Sequence, residues 1–81
     1  MRLLFHHSTI TLSDGDASFS ASLDDGAPTR LADGVLLDCG VYVVEINFRL
    51  RRVYVVRGAV GRVFPLVEGE WVDELVPLFA K

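Results

Sequence analysis

The chain has 81 residues, enough for one small domain over residues 1–81. Its residues are 51% hydrophobic and its mean hydropathy is +0.36, more apolar material than one core of this size absorbs, because folding at this length removes only roughly 60–65% of the unfolded surface. The net charge of −3 and pI of about 5.1 argue against a dedicated nucleic-acid binder, the lone Cys39 excludes an intramolecular disulfide, and no run approaches the roughly 20 apolar residues that span a bilayer.

Residues 3–12 and 17–23 read as a hairpin, with Asp14-Gly15 central in a turn of Ser13 to Asp16. Asp-Gly suits a type I′ turn because both residues tolerate positive φ. Pairing outward from it sets Leu12 opposite Ala17 and Ile10 opposite Phe19. One buried face then holds Ile10, Leu12, Phe19 and Leu23. Residues 24–28, acidic with a glycine and a proline, read as a loop. Asp33-Gly34 marks a second hairpin turn, and Asp38-Cys39-Gly40 another break.

The tetrapeptide Val-Tyr-Val-Val then occurs twice, at residues 41–44 and 53–56. Between the copies polar and apolar residues alternate almost strictly. β-Branched and aromatic residues at period two specify extended chain. One straight strand over residues 41–57 would reach roughly 56 Å, too long for a domain with a radius of gyration of about 12 Å. The ribbon must therefore bend or fold back. A hairpin would expose Phe48 and Leu50 in a turn without Gly or Pro. The expectation is one long strand kinked by a bulge at Arg51-Arg52.

Residues 57–61 form the next turn and residues 62–67 the next strand, held to an edge or bulge by Pro65. Trp71, Val72, Leu75, Val76 and Phe79 recur at helical spacing, with acids over residues 68–74 at the N-terminal end. This predicts a short C-terminal helix packed on the sheet, Trp71 in the core, ended near Leu75 by Pro77. The fold class is α+β, mainly β: a strongly bent antiparallel sheet or small barrel of five to six strands.

No reaction motif is present. His6 and His7 are adjacent on a strand and point to opposite faces, so they chelate one metal poorly. Cys39 as a nucleophile would need one of them as its base. The acids cluster in turns, where they stay solvated. The chain reads as a non-enzyme without metal or cofactor. The N-terminal residues lack the apolar stretch of a signal peptide, and the expected location is cytoplasmic.

The basic residues are seven arginines and one lysine, and Val, Ala, Gly and Asp are plentiful, a bias that suggests a bacterial or phage genome. Residues 49–62 hold Arg49, Arg51, Arg52, Arg57 and Arg62 with no acid among them. Glu45, Asn47, Arg49 and Arg51 share one strand face, and Arg57 joins it if the register survives the kink. Arg52 and Tyr54 lie close by. Arg and Tyr are favoured anchors at protein interfaces. The expected function is a small protein-binding module that masks a surface of a larger host protein, as an inhibitor or modulator, or that assembles with itself as a homodimer. The alternatives are a small β-barrel that stacks single-stranded nucleic acid on Tyr54 beside Arg49, Arg51 and Arg52, and a virion or assembly component.

Overall fold

The computed structural model describes residues 1–24 and 28–75. Nine strands run in chain order: β1 (Arg2–His6), β2 (Thr9–Asp14), β3 (Ala17–Ser22), β4 (Thr29–Arg30), β5 (Gly34–Asp38), β6 (Val43–Asn47), β7 (Arg52–Arg57), β8 (Val60–Pro65) and β9 (Trp71–Asp73). They form two antiparallel sheets, β3-β2-β1-β9 and β4-β5-β6-β7-β8. One apolar cluster joins both. Leu3, Ile10 and Leu12 from the first sheet meet Val35, Leu37, Val44, Ile46, Val53, Val55 and Phe64 from the second, and Tyr42 is buried at the cluster's margin. The radius of gyration is 12.1 Å.

The expected five to six strands, barrel and C-terminal helix are not what forms. Among the described residues every element is a strand, and neither sheet closes on itself. Sheet faces explain the two layers. Val35, Ile46, Val53 and Phe64 stand opposite one another across β5 to β8, and Leu37, Val44 and Val55 form the next row. Both rows need cover, and the Leu3–Leu12–Phe19 row of the smaller sheet supplies it. Burying two facing apolar sides is the standard solution for packed antiparallel sheets.

The helical spacing at the C-terminal end is overridden by a free strand edge. Glu68 forms an isolated parallel bridge with Phe5, and the Gly69 amide donates to the Phe5 carbonyl at 2.7 Å. Gly69 turns the chain with φ 78° and delivers residues 71–73 along β1. There Arg2 pairs with Asp73, Leu3 with Val72 and Leu4 with Trp71. A helix this short is marginal on its own, whereas β9 satisfies the exposed amides and carbonyls of β1. Trp71 accordingly lies 42% exposed rather than in the core. Val72 is the residue that packs inward. The expected helix positions Val76, Pro77 and Phe79 lie outside the described residues.

The long ribbon is a hairpin, not a kinked strand. β6 and β7 pair as Val43–Val56, Val44–Val55, Glu45–Tyr54 and Ile46–Val53, so the last two residues of the first Val-Tyr-Val-Val copy lie against the last two of the second. Residues 48–51 make the turn without Gly or Pro. Arg51 takes φ 55° in place of a glycine. The Leu50 amide donates to Asn47 Oδ1 at 2.9 Å, and the Phe48 amide donates to the Asp33 carbonyl at 2.9 Å. The first, from backbone to side chain, and the second, from backbone to the backbone of the neighbouring turn, stand in for the missing turn residues.

The first hairpin forms on the expected faces but two residues out of the expected register. Leu12 pairs with Phe19 and Ile10 with Ala21, and the loop is Gly15-Asp16. Only Gly15 has positive φ, 64°, which is the type II′ pattern with Gly first. A slip of two preserves every side chain's face, whereas a slip of one would invert them all. Pro65 lies in β8, an edge strand, as expected.

Candidate protein-docking face

The hairpin decides which candidate residues meet. Parity reverses through the turn, so odd positions of β6 and even positions of β7 point away from the core. Glu45 and Asn47 are therefore joined there by Tyr54 and Arg52, directly opposite them. The central outward row reads Thr29, Leu36, Glu45, Tyr54, Val63. The flanking rows read Gly34, Asn47, Arg52, Pro65 and Asp38, Val43, Val56, Gly61. An antiparallel sheet with one face on the core normally turns polar residues outward. This one turns out Leu36, Val43, Tyr54, Val56 and Val63, with Val56 41% exposed.

Arg49 and Arg51 sit at the rim, alternating with exposed Phe48 and Leu50 in the 48–51 turn. Arg49 donates from Nε to Asp33 Oδ2 at 3.0 Å, tying this turn to the neighbouring β4–β5 turn, where Leu31 is also exposed. Arg51 and Arg52 make no ion pair with any described residue.

Arg57 leaves the set. It shares the core-facing parity of Val53 and Val55 at the far end of β7, and its guanidinium lies 5.7 Å from the centre of the Tyr42 ring, within cation–π range. With Met1, Asp14, Val55, Val60 and Arg62 it lines an open cleft of about 270 Å³ between the sheets. Arg62 is held there by Glu74, Nη1 to Oε2 at 2.6 Å. That hydrogen bond, then the Glu74 charge, raises the guanidinium's pKa above its ordinary value.

The histidines also differ from expectation. Both are exposed, His6 at the end of β1 and His7 in the turn that follows. Glu68 Oε2 lies 3.0 Å from His6 Nδ1 and accepts the His7 amide at 3.2 Å. His7 and Ser8 both have positive φ, 49° and 62°, a two-residue turn made without glycine. The carboxylate clamps that turn. No sequence signal joins Glu68 to His6, because the contact spans most of the chain.

Among the described residues no three His, Cys, Asp or Glu side chains converge as a metal site. Cys39 is half-buried. Burial first, and the Asp38 carboxylate second, push its thiol pKa up, the reverse of what a nucleophilic thiolate requires. No family model, curated protein or solved structure matches the chain.

Proposed function

We propose that this chain is a non-enzymatic protein-binding module whose contact surface is the outer face of the five-stranded sheet, with the 48–51 turn at its rim. The observation that carries this reading is the set of apolar residues Leu36, Val43, Tyr54, Val56 and Val63, interrupted by Glu45, on the side turned away from the core. A contiguous apolar patch rimmed by polar groups is the mark of an interaction surface. Arg51 and Arg52 add unpaired positive charge at one end, which favours a partner surface carrying carboxylates there. By covering such a surface the module would inhibit or modulate a larger protein. Stacking of single-stranded nucleic acid is the weaker reading. Glu45 stands directly opposite Tyr54, the one aromatic on the strands of this face among the described residues, and Asp33 already engages Arg49.

Affinity capture from the cell that encodes the gene tests the proposal. The wild type is compared with the Val43→Lys/Val56→Lys double variant and with Thr11→Lys on the outer face of the other sheet. A partner held by the wild type and by Thr11→Lys, and lost by the double variant at unchanged circular dichroism, is the expected result. Equal capture by all three overturns the reading.

A further inference from the structure

Four strand edges border the two sheets, and three are protected. β4 has two residues and β9 has three. β8 carries Pro65, and its Val63 carbonyl already accepts the Leu75 amide at 2.7 Å. The fourth edge, β3, runs six residues, Ala-Ser-Phe-Ser-Ala-Ser, with no charge and no proline. Among the described residues nothing pairs with its outer side. Natural sheets rarely leave such an edge undefended.

The register shows which groups that edge offers. Asp14 and Ala17 flank the two-residue loop, so they exchange hydrogen bonds, and this alternates along the ladder. Ala17, Phe19 and Ala21 therefore spend their amides and carbonyls on β2. Ser18, Ser20 and Ser22 point theirs outward. On the core side of the same edge Phe19, Ala21 and Leu23 are only partly buried. The edge thus has an unfilled hydrogen-bonding row and an unfinished apolar row.

We propose that β3 pairs antiparallel with β3 of a second copy of this chain, about a two-fold axis through Ser20. In that register Ser20 opposes the partner's Ser20 and Ser18 opposes the partner's Ser22. All three outward residues are then hydrogen-bonded, by about six bonds in all. Phe19 falls opposite the partner's Ala21, and Ala17 opposite the partner's Leu23, so the apolar row continues on the core side and the serine row on the other. The paired residues 17–23 carry no charge; one step beyond them at each end, exposed Asp16 falls opposite the partner's exposed Asp24. The two four-stranded sheets merge into one of eight strands. A second copy fits because the edge is self-complementary on both faces in one register. The contact is independent of the outer face of the larger sheet, so either proposal stands if the other falls.

Sedimentation velocity over a concentration series, with thiol crosslinking, tests it. The wild type is expected to dimerise. Ser20→Pro deletes one outward amide and leaves every backbone bond to β2, removing besides only the exposed Ser20 Oγ to Thr11 Oγ1 hydrogen bond, and is expected to lose the dimer. Should that variant fold poorly, Ser20→Lys, which sets two lysines face to face across the axis, is expected to lose it with an unchanged far-UV spectrum. In a Cys39→Ser background, Ser20→Cys is expected to be joined by dibromobimane, which bridges only close thiols. The two position-20 Cα atoms would stand about 5.5 Å apart. Ser18→Cys is expected not to be joined, its copies lying about 14 Å apart. A monomer at every concentration overturns the proposal. So does a dimer that survives Ser20→Lys, or crosslinking at position 18 equal to that at position 20.

Discussion

The backbone carbonyl oxygen of Ile46 lies 1.8 Å from where a side chain on Gly34 would begin. Gly34 starts β5 opposite Asn47, at the place where the β4–β5 and β6–β7 turns are stitched together by Phe48 and Arg49. Only hydrogen fits there.

Gly34→Ala is therefore expected to force β5 from β6 and destabilise the fold by about 3 kcal/mol, the upper range for inserting one methyl into a packed site. Gly61→Ala is its control, since an added methyl there meets nothing nearer than Val56 Cγ2 at 4.0 Å. Urea denaturation measures both. Equal midpoints for Gly34→Ala and wild type would show that the β5–β6 register is different.

Arg51 occupies the left-handed region at φ 55°, which costs a residue with a Cβ roughly 1–2 kcal/mol. Arg51→Gly is expected to raise the melting temperature, with a gain of up to about 1 kcal/mol after the extra freedom of the unfolded chain is counted. A kinked continuous strand at this position would instead be weakened by glycine, so the sign of the change separates the two geometries.

Trp71, the single tryptophan, sits on edge strand β9 with the Arg2 guanidinium 5.5 Å from its ring centre. Native fluorescence should be quenched readily by acrylamide and should shift little on unfolding. Arg2→Ala should increase the quenching further, since the guanidinium covers the ring. A blue-shifted, quencher-resistant emission would indicate a tryptophan packed in a core.

The Cys39 thiol titrates above its ordinary value because burial, and then Asp38, disfavour the thiolate. The folded chain thus holds this proton to higher pH than the unfolded chain does. The linked stability is intact below the ordinary thiol pKa and declines as pH rises from there through the raised value. Alkylation by iodoacetamide at mildly alkaline pH is expected to be slower in the native protein than in urea. Asp38→Asn should narrow that difference without abolishing it. Equal native and denatured rates would contradict the assignment.

Much of the fold follows from local pattern. Period-two alternation places Ile10 and Leu12 on one apolar face and Val44 and Ile46 on another, and all four are buried. The Asp-Gly and Gly-Ala pairs mark turns, and Pro65 assigns its strand to an edge. Part of the candidate surface is legible for the same reason. Glu45 and Asn47 share a face under any extended reading, and the basic segment is visible as a run. That Arg52 and Tyr54 join them while Arg57 crosses to the core side is not legible, because one reversal at residues 48–51 inverts all later parity.

Alternation determined by itself that the chain is β-rich and which sequence-local faces are apolar, because side-chain direction along a strand needs no distant partner. Tertiary structure alone decided the fold-back and the last strand. The 48–51 turn has no glycine and relies on the Asp33 backbone and the Asn47 side chain to hold it. Residues 71–73 carry a helical spacing, yet the open edge of β1, nearly a full chain length away, offers them more hydrogen bonds than one isolated helical turn could. Partners so remote in sequence leave no local trace, and only the packed chain brings them together.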